Sequence, residues 1–466
     1  MSFLTAKSTI ESTQIFNIVK KMPKGALLHA HLEATVDAGF LLKSALEHTN
    51  VCIRAASTIT KETLGSTLPD FAPRPVAGSY ESPATITSPN YVPDTYVSAQ
   101  KVRREWPEIL GGPEGFDRWV IQSLTINPSE AYDTHNTTVK IWNKFQSCFT
   151  VIRGLLAYEP VLRKFLRQLF ESCVEDGISY AEFRWNFTPK DNILTSEDGT
   201  CYIDHDRLLS IFQTELELYL QNLRDAGRSD LFHGAKIIYT FVRIISVEEL
   251  EWYLEDCLAL KKKYPQLIAG FDVVGPEDVM HPLIYYLEPL IKFRNKCEAL
   301  GIDLPFLFHA GETLGDGNST DQNLYDAILL GTKRIGHAFS LIKHPTLMRL
   351  CRERNICCEV CPVSNEILRL TASIPAHPIA AMLNHGVPIA LASDDPGIFS
   401  NIGLSYDFFQ VLVSSEISGL MTLAVLARES FQHAILDEEE KKRALAVWDA
   451  RWARYIEEVV STNGIL

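Results

Sequence analysis

No stretch of the sequence approaches the ~20 consecutive apolar residues that a membrane-spanning helix needs, so no membrane partner is expected. There is no P-loop and no G-x-S-x-G nucleophile elbow, which sets aside triphosphate cradling and α/β-hydrolase chemistry. The H-x-E followed by P-C-x-x-C of the cytidine-deaminase-type zinc fold is also missing. Positive charge is in short supply: 44 Lys and Arg face 58 Asp and Glu, for a formal net charge of −14. Binding a phosphate backbone takes clustered Lys and Arg, so no nucleic-acid partner is expected. The ten cysteines are scattered, at 52, 148, 173, 201, 257, 297, 351, 357, 358 and 361. A chain this long buries a core without disulfides, and these read as reduced core thiols. The N-terminus, MSFLTAKSTIESTQIFNIVKK, lacks a basic start followed by an unbroken apolar core, so it does not read as a secretory signal. A cytoplasmic protein is the expectation.

What is present is ordinary globular material, 46% hydrophobic and 22% charged. The first strand is Gly25 to His31, GALLHAH. Residues 57 to 98 are rich in Ser, Thr and Pro, with prolines at 69, 73, 75, 83, 89 and 93, and show no sustained periodicity. They predict an irregular surface insertion of low helical content, which with its flanks covers about 50–138. Beyond this the pattern turns regular. A helical stretch over 139–175 leads to ISYAEFRW, one over 206–226 to AKIIYTFV, and one over 247–264 to LIAGFDVVG. Helices over 282–300, 321–330, 345–354 and 378–385 precede LPFLFHAGE, RIGHAF, ICCEVCP and VPIALASDD. Eight apolar strands alternating with helices predict α/β architecture and a (β/α)8 barrel, with an insertion after strand 1 and extra C-terminal helices over 420–460. An open doubly wound sheet is the competing fold, but no glycine-rich loop follows any strand.

Several strands end in residues that a simple core would not use: His29 and His31, Glu182 and Arg184, Asp272, His309 and Glu312, His337, Glu359, and Asp394 and Asp395. In a barrel the carboxyl ends of all strands converge on one face, where catalytic groups gather. His29 and His31, two apart on a strand, face the same way. Alone, that pair fits a metal chelate and two satisfied core histidines equally well. His309 breaks an apolar run, and Glu312 follows within reach of the same space. Asp394-Asp395-Pro396 could be a helix cap or turn, which accounts for one aspartate more easily than two. Together the strand ends offer three imidazoles and a carboxylate, with Glu312 and His337 left over. That donor set suits zinc with one position kept for water. Cys358-x-x-Cys361 stands alone, without the second pair of a zinc ribbon, and lies in a predicted strand, so it reads as core thiols. The run over 437–443, DEEEKKR, reads as a solvated helix face.

MPKGALLHAHLEAT, YAEFRW, GFDVVGPED, FHAGET, RIGHAF, EVCPVSN and SDDPGIF, in this order, resemble the adenosine deaminase family of metal-dependent amidohydrolases, over residues of about 20 to 460. MPKGALLH, KIIY, GLSYDFF and the closing W-x-x-R-W are similar to its growth-factor-type branch. The resemblance implies a metal-dependent deaminase barrel as a single domain over 1–466, with one Zn2+ per chain, acting on adenosine or 2′-deoxyadenosine. It makes His29, His31, His309 and Asp394 the zinc ligands. It makes Glu312 the proton-transferring carboxylate, and His337 the histidine that holds the attacking hydroxide. Asp395 matches the residue bonded to purine N7 and Gly275 the one whose backbone meets N3. Glu33 falls where the family has an acidic residue on the ribose, and Trp142 resembles a tryptophan near the ribose.

The growth-factor-type branch also carries a signal peptide, a helical N-terminal extension used for dimerisation, and a disulfide in the inserted segment. Here only about twenty residues precede MPKG and the insertion holds only Cys52, so the oligomeric state is left open. After IIY that branch has a histidine where this chain reads Thr240-Phe241-Val242-Arg243, so a sugar-end contact differs. Two other readings stay open. One is a deaminase of AMP or of an N6- or 5′-modified adenosine, for which Lys24 and Arg243 are the candidate phosphate cations. The other is a non-catalytic nucleoside-binding or signalling protein on the same scaffold.

Overall fold

A computed structural model describes residues 2–74, 84–189, 196, 201–401, 403–416 and 418–463. Two short helices, Phe3–Glu11 and Gln14–Lys21, precede strand β1, Gly25–His31. Strands β2 (Val51–Arg54), β3 (Asp70–Pro73) and β4 (Val97–Ser98) follow, and then β5 (Ile178–Asn186), β6 (Ala235–Val242) and β7 (Ile268–Val274). The last four are β8 (His309–Ala310), β9 (Arg334–His337), β10 (Cys357–Val360) and β11 (Ile389–Leu391). β1, β5, β6 and β7 pair in parallel in that order, as do β8, β9, β10 and β11. Parallel bridges between Phe271 and Phe306, and between Ala30 and Asp394, join the two halves. The result is the (β/α)8 barrel that the sequence predicts.

The second seam is made by residues of chemical interest. The His31 amide donates to the Asp394 carbonyl at 3.0 Å, and the Asp394 amide donates to the His29 carbonyl at 3.2 Å. Closing the barrel therefore sets these three residues side by side before any side chain interacts. The helix Leu420–His433 packs over β1 and β11 and covers this seam. Gly25 makes that approach possible. Its φ is +79°, and a Cβ there would lie 2.0 Å from the Ala427 carbonyl oxygen.

Two expectations need correction. The helical stretch over 139–175 is two helices, Thr138–Leu156 and Glu159–Glu175. Pro160 has no N–H to continue the ladder of the first helix, so it sits in the first turn of the second, and Tyr158 breaks the helix at φ −127°, ψ 120°. The insertion over 50–138 is not irregular throughout. β3, β2 and β4 form an antiparallel sheet, and helices Ala99–Arg104 and Gly112–Leu124 follow it. Short strands separated by Ser, Thr and Pro leave no window long enough to show a period, so the pattern is silent there. Prolines 75 and 83 of that segment lie outside the described residues. The small sheet packs on the helix Thr138–Leu156, whose Gly154 lets the Phe71 carbonyl come within 2.4 Å of where a Cβ would sit.

The barrel interior holds a charge network with no solvent exposure to speak of. Arg184 pairs with Asp272 and with Glu359, each at 2.7 Å. Arg334 pairs with Glu182 at 2.6 Å and also with Glu359. All five side chains are at most 1% exposed. The strand-end polar residues Glu182, Arg184, Asp272 and Glu359 thus do not reach the barrel mouth, as convergence alone would suggest. They pair with one another or, for Glu182, with Arg334 beneath it. Removing one member of a buried pair leaves its partner uncompensated, at about 3–5 kcal/mol. Arg334→Met is expected to lower stability by about that much in urea unfolding, with Arg334→Met/Glu182→Gln recovering part of the loss. An unchanged midpoint for the single variant would contradict the network's role.

Candidate active site

β1 places His29 and His31 on one face, as the period-two geometry requires. His29 Nδ1 lies 2.7 Å from Glu359 Oε2, so its Nε2 is the nitrogen free to ligate. His309 is oriented in the same way: its Nδ1 lies 2.6 Å from Asp272 Oδ2, while its amide donates to Asp272 Oδ1 at 2.8 Å. Carboxylate partners of this kind fix the tautomer and direction of a metal-binding histidine. Nε2 of His29 and of His31 lie 3.3 and 3.4 Å from Asp394 Oδ1. Ligand atoms of His29, His31, His309 and Asp394 all fall within 4.8 Å of one another.

Metal fit can be judged from atoms that have nothing else to do. His29 Nε2 and Asp394 Oδ1 are buried and make no hydrogen bond. Leaving such groups unmet costs about 1–3 kcal/mol each, and a divalent ion would meet both at once. Burial pushes the His31 and His309 imidazoles below the usual histidine range, which keeps them neutral, as ligation requires. A second grouping, His29, His337, Cys361 and Asp394, is also close enough. Burial raises the Cys361 thiol well above its ordinary value and holds it as a protonated core group, so the first set suits a cation better.

β9 ends in His337 and β11 leads to Asp394, and both residues adopt left-handed backbone, with φ of 62° and 61°. Non-glycine residues in that region carry strain of order 1–3 kcal/mol, which gathers at functional sites. Gly336 gives His29 its room: a Cβ there would lie 2.9 Å from His29 Cε1. A relay sets the His337 tautomer. The Ile379 amide donates to His377 Nδ1, which leaves His377 Nε2–H to donate to Asn365 Oδ1 at 2.9 Å. The Asn365 amide nitrogen then donates to His337 Nδ1 at 3.2 Å, leaving His337 Nε2–H turned toward Asp394 Oδ2, 3.9 Å away. Ser364 Oγ donates to the same Asp394 oxygen at 2.7 Å.

Beside this cluster is a pocket of about 710 Å³. Glu312 and Asp395 line it, each with a buried carboxylate oxygen that makes no hydrogen bond. Burial, and then the charge of Asp394, push both carboxyls well above the usual carboxylate range. Glu312 therefore tends to carry a proton. Gly275 lines the wall with φ +107°, and a Cβ there would lie 2.9 Å from Met280 Sδ. Glu33 is half-buried and pushed up to about 7 by burial, and accepts from the Asn186 amide at 3.4 Å. The helix Thr138–Leu156 contributes Trp142, Phe145, Gln146, Phe149 and Arg153, at the i, i+3, i+4, i+7 and i+11 spacing of one face.

The residues to which the resemblance gave roles meet here: His29 adjoins the pocket through the cluster, and His31, Glu33, Trp142, Gly275, His309, Glu312, His337, Asp394 and Asp395 line it. The sequence reading passed over Phe145, Gln146, Phe149 and Arg153, which the periodicity from Trp142 would have supplied. It also passed over Ser364, Asn365 and His377, whose roles exist only through contacts between the segments that follow the strands. Lys24 and Arg243 need correction as phosphate cations. Lys24 is buried near the start of β1, giving its ammonium to the carbonyls of Lys20, Met22 and Asp176, and Arg243 is sealed within the wall.

A parallel barrel with a histidine–aspartate cluster at its mouth defines an amidohydrolase-type enzyme. The adenosine deaminase family pattern matches residues 124–449. Adenosine deaminase 2 of Sus scrofa is 33% identical over 462 residues, covering 98% of this chain and 84% of that protein. An adenosine deaminase of Phlebotomus duboscqi is 31% identical over 461 residues, covering 98% and 81%. Among solved structures, an adenine deaminase from Arthrobacter aurescens has a TM-score of 0.59 at 17% identity, covering 93% of this chain and 99% of that one. An amidohydrolase from Burkhoderia ambifaria with bound Zn also has a TM-score of 0.59, at 18% identity and 98% and 97% coverage. An N6-methyl-AMP deaminase from Arabidopsis thaliana has a TM-score of 0.57 at 17% identity, covering 93% and 98%. The chain belongs to the adenosine deaminase family and is a deaminase hydrolase.

Asp272→Asn keeps the shape at His309 but removes the carboxylate charge that faces Nδ1. It is expected to weaken metal affinity by about 10- to 100-fold in a chelator competition, with added metal restoring activity. Unchanged affinity would show that Asp272 serves the barrel and not the ligand.

Proposed function

We propose that this chain is a zinc-dependent hydrolase that converts adenosine and 2′-deoxyadenosine to inosine and 2′-deoxyinosine with release of ammonia. The observation that carries the reading is a cluster of four convergent ligand groups beside a pocket lined by two buried carboxyls, Glu312 and Asp395, each with an oxygen that makes no hydrogen bond. His29, His31, His309 and Asp394 would hold one zinc ion. Bound there, the ion supplies a water whose pKa is lowered to about 7, and so a nucleophile at neutral pH.

The rest of the chemistry falls to the chain itself. Purine C6 is a weak electrophile until N1 is protonated. Glu312 carries the proton for that step, because burial and Asp394 favour its neutral form. His337, its tautomer fixed through Asn365 and His377, holds the attacking oxygen on one face of the ring together with Asp394. A C6–O bond forms as the attacking water gives up a proton, that proton passes to the amino nitrogen, and the C6–N bond breaks with release of ammonia. Asp395 and the Gly275 amide hold the base by its N7 and N3 edges. Glu33 and Trp142 hold the ribose.

Charge favours a nucleoside over a nucleotide. Arg153 is the one permanent cation among the described lining residues, and it is exposed at the rim beside Glu33. Against it stand the carboxyls of Glu33, Glu312, Asp394 and Asp395. A 5′-phosphate would add negative charge to that wall with no buried cation to receive it. Cys148, Cys173, Cys257, Cys297, Cys351, Cys357, Cys358 and Cys361 are buried free thiols, which supports a reducing, cytosolic setting.

Ammonia release and the ultraviolet change across adenosine, 2′-deoxyadenosine, AMP and N6-methyl-AMP, with elemental analysis of the same sample, test this reading. Adenosine is expected to turn over fastest, with about one zinc per chain. Glu312→Gln is expected to lower kcat by about 100- to 10,000-fold while zinc stays bound. AMP as the preferred substrate, or a fully active Glu312→Gln, would overturn it.

A further inference from the structure

Arg243, the residue after β6, is fully buried behind the pocket wall, and the mechanism above gives it no part. Its Nη2 donates to the Val273 carbonyl at 2.8 Å and to the His309 carbonyl at 3.2 Å. Its Nη1 lies 3.9 Å from Glu277 Oε2, and Nε and Nη1 make no hydrogen bond. On the other side, its Cγ would be 3.6 Å from a Cβ on Gly275. One side chain thus holds the backbone of a candidate ligand and the end of β7 with its guanidinium, while its Cγ passes beside Gly275.

Glu277 extends the connection. It is 2% exposed, and its Oε1 accepts from the Glu312 amide at 2.9 Å. Its Oε2 accepts from the Gly311 amide at 3.2 Å and from Asn323 Nδ2 at 2.6 Å. A buried carboxylate is costly without a nearby positive charge, and Arg243 is the cation in ion-pair range of Glu277 among the described residues. The planar fork of arginine can reach two carbonyls while facing a carboxylate, which a lysine ammonium cannot reproduce.

We propose that Arg243 is a positioning residue for the deamination. It anchors the His309 backbone and supplies the charge that keeps Glu277 on the Gly311 and Glu312 amides, and so fixes the Glu312 carboxyl relative to the ligand cluster. The proposal rests on the deaminase reading above. A displacement of about 1 Å at a reacting group costs about 100-fold in rate.

Arg243→Gln, Arg243→Lys, Glu277→Gln and the Arg243→Gln/Glu277→Gln pair test it, using metal-replete protein and adenosine. Arg243→Gln is expected to lower kcat by about 100-fold with KM and zinc content little changed. Arg243→Lys should lose less, and the double variant no more than the more damaged single one, as coupled sites require. Amide hydrogen exchange provides a readout that needs no turnover. The peptide over 309–313 should exchange faster in Arg243→Gln than in the wild type, with the helix over 420–433 unchanged. Unaltered exchange at 309–313 overturns the proposal, as does a loss confined to KM, a loss that tracks departed zinc, or fully multiplicative effects. If Arg243→Gln fails to fold, Arg243→Lys and Glu277→Gln carry the same comparisons. A wild type inactive on every adenine compound would defeat the deaminase reading, while the exchange result still decides whether Arg243 sets the 309–313 turn.

Discussion

The constraint on which the structure depends is the burial of charge inside a barrel of apolar strands. Arg184 and Arg334 are sealed from solvent, so each needs carboxylates, and Asp272, Glu359 and Glu182 supply them. Two of those carboxylates also meet a histidine, Glu359 facing His29 and Asp272 facing His309. The charges that hold the barrel together thus also aim the imidazoles. A buried ion pair adds little stability over apolar packing of the same shape, so its use here is one of direction.

Above this layer the balance of charge tips. Asp394, Asp395, Glu312 and Glu277 crowd one end of the pocket, each at most 6% exposed. Protons and a divalent cation are the means of relieving such crowding. In the proposed reading the ligand group would take the cation and Glu312 a proton. Chemistry that needs an acid beside a metal is thus a consequence of packing several carboxylates out of water. The left-handed backbone at His337 and Asp394 is tolerated in the same place, where closure of the seam and the surrounding hydrogen bonds over-determine it.

The inserted segment takes part in this design at a distance. Its small sheet and the helix Gly112–Leu124 support the helix Thr138–Leu156, whose inner face forms the aromatic side of the pocket. The Ile126 amide bonds the Ile398 carbonyl at 2.9 Å, tying the end of the insertion to the loop that follows Asp395. Ser, Thr and Pro give the segment a composition that reads as loose from sequence. Its order comes from pairing and packing partners that lie elsewhere in the chain.

The alternation of apolar strands and helices was enough to determine the barrel, because each parallel strand must be covered on both faces and each helix has one face to bury. His29, His31, His309, Glu312, His337, Asp394 and Asp395 were legible for a related reason: polar groups at the ends of apolar strands have no local use. Sequence separation hid the remainder. That Glu182, Arg184, Asp272 and Glu359 form a foundation and not a rim depends on how far each strand runs before it ends. That Asn365 and His377 set the His337 tautomer, and that Arg243 faces Glu277, depends on contacts across 12 to 34 positions of chain, which only closure of the barrel brings within hydrogen-bond or ion-pair reach.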